Sequence, residues 1–227
     1  MAEMSPKARV RRAARSIARW GEDSRMMTKL PWREGRTPYK VFLAEFLLTR
    51  TRADVVARVF NAILIRYPDV TSLAEADVIE LEQLLRPLGL SKRVRLLVSA
   101  ARHIREFHSG EIPMDQHDLE AIPGVGPYVA AAVRAFAFGR STLPADVNVL
   151  RFIARVTGLP MSHPTRGSRE LMDLTSELAL ARPSPRAETL IDFCRVICRP
   201  RNPRCLICPA VKYCLWGTAT TSADVHG

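Results

Sequence analysis

The chain has no cysteine in its first 193 residues and no run of about 20 apolar residues. A membrane-spanning helix needs a run of about that length, and the longest apolar helix candidate, 129–138, is interrupted by Arg134. The N-terminal sequence also lacks the charged, apolar and small-residue segments of a secretory signal. We therefore expect neither a membrane protein nor a secreted protein whose disulfides are spread across the fold.

Strand patterns are absent as well, because no alternation of apolar and polar residues reaches a useful length. Apolar residues recur instead at helical spacing, and the arginine-rich stretch 7–20 predicts a further amphipathic helix. The apolar runs are 41–65, 73–85, 94–107, 128–138, 147–156 and 171–180. We predict an all-α protein with short connections, in which the small and polar end, 218–227, frays.

Negative charge is scarce relative to positive charge. The chain has 34 Lys and Arg against 23 Asp and Glu, which gives a net charge of +11. Most of the excess is arginine, which binds phosphate through two parallel hydrogen bonds. The charge therefore favours a polyanionic partner over a merely solvated surface, and a nucleic acid over a membrane.

Four of the five cysteines form a compact group near the C-terminus, with the spacing C-x6-C-x2-C-x5-C. They are Cys198, Cys205, Cys208 and Cys214. Four thiolates in so short a stretch are suited to one soft centre, either a [4Fe-4S] cluster or a tetrahedral zinc ion. The spacing favours the cluster, because zinc sites more often use two short C-x2-C pairs. Cys194 is expected to be a buried free thiol outside this site.

A second motif lies at 119–128, where a helix stops, a tight turn follows and an alanine-rich helix begins. The turn consists of Pro123, Gly124, Val125 and Gly126. The two glycines permit positive φ and a close approach of the backbone, and the next helix begins with the positive end of its dipole. Such a hairpin can hold a DNA phosphate without reading the base sequence.

Together these motifs resemble the helix-hairpin-helix DNA glycosylases of the endonuclease III superfamily, and the match covers most of the chain. Other matching segments are 30–33, 38–41, 44–48 and 145–148. The resemblance implies two helical lobes. One is a six-helix lobe over 32–143 that contains the hairpin, and the other joins 1–31 to 144–227 and carries a [4Fe-4S] cluster in the cysteine loop. The closest branches are adenine glycosylases acting on mispairs and thymine glycosylases acting on G:T mismatches.

The resemblance also assigns the two carboxylates. From local sequence alone Asp146 is an ordinary helix N-cap, but the superfamily's catalytic aspartate occupies this position, two residues before Asn148, which the resemblance implies as a DNA contact. Glu45 lies in an apolar run where the mispair-directed branches carry a glutamate, and burial disfavours its charged form. That would suit an acid that protonates the departing base, although a surface glutamate is the alternative. Cleavage of an N-glycosidic bond passes through an oxocarbenium-like sugar, which a nearby carboxylate stabilises.

An enzyme that acts on a base inside a duplex must first extrude the nucleotide, and three further positions concern this step. Bifunctional members carry a lysine where this chain has Tyr128, and tyrosine cannot form a Schiff base. We expect it to border the flipped base instead. Arg50 and Leu90 are candidates for the side chain that fills the vacated space. Their alternatives are a phosphate-contacting arginine and a core leucine.

These features predict a monofunctional base-excision-repair glycosylase that removes thymine or uracil opposite guanine. The chain ends soon after Cys214, without the additional domain by which adenine glycosylases usually recognise 8-oxoguanine, which favours the thymine branch. Adenine removal from A:8-oxoguanine or A:G pairs is the enzymatic alternative, and a noncatalytic iron-sulfur DNA-binding protein is the other. The expected partner is double-stranded DNA with a mispaired or damaged base, bound by a monomer in the cytoplasm, at the nucleoid.

Because no lysine lies between the hairpin and Asp146, borohydride should not trap a covalent complex with DNA in good yield. A bifunctional member of the superfamily, treated in parallel with a duplex that it processes, serves as the positive control. Efficient trapping of this chain on denaturing gels would contradict the monofunctional prediction.

Overall fold

The computed structural model describes residues 4–22, 29–49, 51–89, 91–140, 142–161, 169–181 and 186–223. These residues form twelve α-helices and no strand, which confirms the all-α prediction. The chain divides into two compact units. The terminal unit consists of Met1–Thr28 and Ser141–Gly227, and the central unit spans Lys29–Arg140. No helix in the described ranges is both long and apolar enough to cross a membrane.

The central unit contains seven α-helices in its described part. They are α2 (Pro38–Leu48), α3 (Ala53–Arg66), α4 (Val70–Ala74), α5 (Val78–Leu85), α6 (Ser91–His108), α7 (Gln116–Ala121) and α8 (Pro127–Phe138). The apolar run 73–85 is divided between α4 and α5. Asp77 lies between the two helices and caps the start of α5, since its Oδ1 accepts hydrogen bonds from the backbone N–H groups of Ile79 and Glu80 at 2.8 and 2.9 Å.

Helix α2 lies at the centre of this unit and is buried along nearly its whole length. It begins at Pro38, and the Thr37 side-chain oxygen caps it by accepting a hydrogen bond from the Lys40 backbone N–H. The Tyr39 hydroxyl donates to the Tyr67 carbonyl at 2.8 Å, which ties α2 to the end of α3, and burial raises the pKa of Tyr39. Because α2 also packs against α8, the helix that contains Glu45 is held from several sides.

The terminal unit contains, in the residues that the structure describes, five α-helices around a second apolar core. They are α1 (Pro6–Trp20), α9 (Val147–Thr157), α10 (Arg169–Leu180), α11 (Ala187–Val196) and α12 (Leu215–Ala223). Phe193 on α11 makes edge-to-face contacts with Trp20 and Phe152, at centroid distances of 5.6 and 5.5 Å. Helix α9 packs against each of the other four, so it is the centre of this unit.

The helix predicted at 7–20 is confirmed by α1, but the expectation of a frayed end from residue 218 onward was wrong as far as Ala223. The threonine hydroxyls of α12 bond back to the preceding turn. Thr218 donates to the Cys214 carbonyl at 3.0 Å and Thr221 to the Gly217 carbonyl at 2.9 Å. A small, polar composition therefore did not exclude a helix.

Candidate functional site

The predicted hairpin is present in the central unit. Helix α7 ends at Ala121 and α8 begins at Pro127. Within the turn the Val125 N–H donates to the Ile122 carbonyl at 3.0 Å, and both side chains are buried in the core. The apolar side chains thus anchor a turn whose outer part is backbone, directly before the positive dipole end of α8.

Gly124 is required by this turn for two reasons. Its φ of +81° lies in the left-handed region, and a Cβ atom added there would lie 2.6 Å from Leu96 Cδ2 and 3.0 Å from Phe46 Cε2. Gly126 differs, because its φ is −102° and no atom lies within 4 Å of an added Cβ. Of the two glycines in the motif, the turn therefore requires a glycine at position 124 but has space for a side chain at position 126.

Glu45 is buried in α2, with 4% of its surface exposed. The same end of α2 contacts Arg93, which the sequence analysis did not single out. The Arg93 Nη1 donates to the Thr49 carbonyl at 2.9 Å, and its guanidinium lies 4.8 Å from the centre of the Phe46 ring. Nothing in the sequence distinguishes Arg93 from the many other arginines, since its partner Thr49 lies 44 positions away.

Tyr128 lies in the first turn of α8, half-buried against the core of the central unit. The structure brings Glu45, Tyr128 and the hairpin into this one unit. Arg50 and Leu90 lie outside the described residues, so their predicted wedge role stays a prediction.

In the terminal unit Asp146 caps α9 with both of its carboxylate oxygens engaged. Oδ1 accepts from the Asn148 and Val149 N–H groups at 2.9 and 2.8 Å, and Oδ2 accepts from Asn148 Nδ2 at 2.6 Å. The N-cap reading of the local sequence is thus correct as geometry. It does not exclude chemistry, because Oδ2 accepts only one of these hydrogen bonds and can accept another.

The side chain of Asn148 bridges Asp146 and Arg151, and its expected contact with DNA stays a prediction. Its Oδ1 accepts from Arg151 Nη1 at 3.0 Å, while Arg151 Nη2 donates to the Cys198 carbonyl at 3.0 Å. A continuous chain of hydrogen bonds therefore runs from the Asp146 carboxylate to the backbone of the first cysteine in the C-terminal group.

Arg155, one turn further along α9, holds the next part of the same segment. Its Nη1 donates to the Arg199 carbonyl at 2.7 Å and lies 3.4 Å from Cys198 Sγ, and its Nη2 donates to the Pro200 carbonyl at 3.0 Å. The guanidinium also lies 5.4 Å from the centre of the Trp216 ring. Arg151 and Arg155 were missed by the sequence analysis, although two arginines four residues apart beside an apolar helix face were the available signal.

The four cysteines line one cavity together with apolar side chains of α9 and α11. Its lining residues include Phe152, Phe193, Ile197, Cys198, Cys205, Cys208 and Cys214. Cys194 is fully buried and does not line the cavity. Burial, together with the charge of the neighbouring thiols, raises the pKa of Cys208 to about 12.

The donor set suits a cluster bound by four thiolates. Among the residues that the structure describes, no three carboxylate, imidazole or thiol groups form a metal-binding group as they stand. Nevertheless, four soft ligands line one cavity, and the Gly217 N–H donates to Cys214 Sγ at 3.3 Å. N–H groups that point at ligand sulfurs are a usual feature of such sites.

Comparison with known proteins gives consistent relationships. Residues 43–177 match the family model described as "HhH-GPD superfamily base excision DNA repair protein". A thymine-DNA glycosylase of Aeropyrum pernix is 33% identical over 192 residues, which cover 82% of this chain and 86% of the relative. A thymine/uracil-DNA glycosylase of Pyrobaculum aerophilum is 33% identical over 185 residues, covering 79% and 80%. The structure of a thermostable thymine-DNA glycosylase superposes with a TM-score of 0.80 and 28% identity, over 91% of this chain and 95% of that one.

Replacing Gly124 by alanine should lower the free energy of unfolding by roughly 2–4 kcal/mol, because the left-handed backbone and the contact with Leu96 both oppose a Cβ atom. Thermal and urea denaturation of the purified variants measures this. Gly126→Ala is the matched control and should remain within about 0.5 kcal/mol of the wild type. Equal stabilities for the two variants would refute this account of the turn.

Proposed function

The chain belongs to the HhH-GPD superfamily of base excision DNA repair proteins, and we propose that it is a monofunctional DNA glycosylase that removes thymine or uracil opposite guanine. The observation that carries the proposal is the Asp146 carboxylate, fixed at the start of α9 by the Asn148 amide and two backbone N–H groups. Curated relatives of nearly the same length are named thymine and thymine/uracil glycosylases, which supports the choice of base.

In the proposed reaction Asp146 stabilises the positive charge that develops on the sugar, or activates the attacking water, as the N-glycosidic bond breaks. Glu45, buried in α2, would donate a proton or a hydrogen bond to the departing base. Tyr128 would border the flipped nucleotide. Because tyrosine offers no amine, water rather than the protein completes the reaction, and an abasic site is the product.

The hairpin supports binding of double-stranded DNA. We expect backbone groups of Pro123, Gly124, Val125 and Gly126, with the dipole end of α8, to hold one phosphate. Arg50 or Leu90 would fill the space left by the extruded base. We propose that the enzyme acts as a monomer on nucleoid DNA in the cytoplasm.

The C-terminal cysteines would hold a [4Fe-4S] cluster through Cys198, Cys205, Cys208 and Cys214. When bound, this group supplies structural cross-linking of the loop rather than chemistry at the sugar. The arginines of that loop would then face the DNA backbone, where they contribute affinity without sequence preference.

The test of the function is strand-specific cleavage of end-labelled duplexes that contain a single G:T, G:U, A:G or A:8-oxoguanine pair, treated with alkali after incubation. We expect breaks at T or U. Breaks at A would support the adenine alternative instead. No break on any of the four duplexes would overturn the proposed activity.

Asp146→Asn should slow single-turnover excision by about 10²–10³-fold, because the charge that stabilises the sugar is lost, while the Kd for duplex DNA changes little. Asn also caps helices well, so the fold should be retained. Asp77→Asn is the matched control, since Asp77 caps α5 through the same pair of backbone contacts. If both variants excise at the wild-type rate, Asp146 is a helix cap and not the catalytic carboxylate.

A further inference from the structure

Helix α1 carries six basic side chains, and three of them fix the helix in place. Arg11 and Lys7 pair with Glu177, whose side chain on α10 is almost fully buried. Arg9 Nη1 donates to the Tyr213 carbonyl at 3.4 Å, beside the cysteine loop. These contacts, together with buried Val10, Ala13, Ala14 and Ile17, set the rotation of α1 about its own axis.

The other three are Arg12, Arg15 and Arg19. They form an arginine stripe on the side of α1 that faces away from its buried apolar residues. All three side chains are exposed, and none has a hydrogen bond or ion pair with any residue that the structure describes. Positions three and four residues apart lie on one face of a helix. At a rise of 1.5 Å per residue the stripe is about 10 Å long.

Such a stripe is unfavourable for an isolated helix. Like charges three and four residues apart repel each other by a few tenths of a kcal/mol per pair. The first turn of α1 also contains no acidic residue to complement the helix dipole. Interspersed acidic residues would give the same solubility without this repulsion, so a solvated surface does not account for the pattern.

The surrounding charge points in the same direction. The segments Met1–Thr28 and Ser141–Gly227 contain 18 Lys and Arg against 10 Asp and Glu, so the terminal unit accounts for eight of the eleven net positive charges. Glu177, the acid that pairs with α1, is already occupied by Lys7 and Arg11. The stripe therefore lies in the more basic unit and has no neutralising partner within the described residues.

We propose that the arginine stripe of α1 is a contact surface for the phosphate backbone of duplex DNA, in addition to the hairpin and the cysteine loop. One DNA strand carries a phosphate per 3.4 Å of helix axis, so a stripe of about 10 Å matches about three phosphates. Arginine binds phosphate oxygens bidentately, and the anchored helix presents the three groups already aligned. The contact reads no sequence and serves undamaged and mismatched duplexes alike. The inference rests on the proposed function only in taking DNA as the partner.

The test is the salt dependence of binding to an undamaged duplex, measured by fluorescence anisotropy with the full-length protein. Each lost phosphate contact lowers the slope of log K against log salt by about 0.9. The triple variant R12Q/R15Q/R19Q should therefore lower the slope by about two to three units. Glutamine is a good helix former, so α1 should be retained and circular dichroism should be unchanged.

The matched control removes three exposed arginines that each lie beside a carboxylate of the central unit. It is R58Q/R66Q/R105Q, with neighbours Asp54, Glu80 and Glu75. This variant has the same change in net charge, and its slope should fall by less than about one unit. Equal slopes for the stripe variant and the wild type, or equal reductions in both variants, would overturn the inference.

Excision separates this inference from the proposed function. With saturating enzyme the stripe variant should cleave a G:T or G:U duplex at the wild-type single-turnover rate. Normal excision with an unchanged salt slope would contradict the DNA contact of the stripe and would leave the proposed glycosylase activity supported. A reduced slope in a protein that excises no base from any duplex would support the DNA contact while defeating the proposed activity.

Discussion

Two arginines one turn apart on α9 hold the chain in place where it leaves α11 and enters the cysteine segment. The last carbonyls of a helix have no intrahelical partner, and here Arg151 and Arg155 donate to the carbonyls of Cys194, Cys198, Arg199 and Pro200. Removing either guanidinium would leave part-buried acceptors unsatisfied, which is more costly than the hydrogen bonds themselves. The arrangement of the four thiols around one cavity therefore depends on α9.

The same helix connects this segment to the proposed catalytic carboxylate. Asp146 caps α9, Asn148 bridges Asp146 to Arg151, and Arg151 reaches the Cys198 carbonyl. Each link is a side chain with a defined direction, so the orientation of the carboxylate and the path of the loop are coupled. The proposed cluster would thus affect the Asp146 carboxylate only by fixing the position of the Cys198 backbone. This agrees with the proposal that the cluster is a structural group.

Spacing and periodicity were sufficient to predict the helical class, the hairpin at 119–128 and the cysteine group, because each depends on residues close together in the sequence. Asp146 was different. Its local sequence predicts a helix cap, the structure contains that cap, and only the family resemblance suggested chemistry. The partners of Arg93, Arg151 and Arg155 could not be predicted, since they are backbone carbonyls more than 40 positions away. The break between α4 and α5 was not predicted, because apolar residues continue at helical spacing through 73–85 although Asp77 caps a new helix within that run.

The most direct test of this account is the metal content of protein purified without oxygen, measured by elemental analysis together with acid-labile sulfide and the visible absorption spectrum. A loop built for a cluster predicts about four iron atoms and four sulfides per chain, with the broad absorption of [4Fe-4S] proteins. One zinc ion per chain with no visible absorption would contradict it, and would assign the four thiols to a tetrahedral zinc site instead.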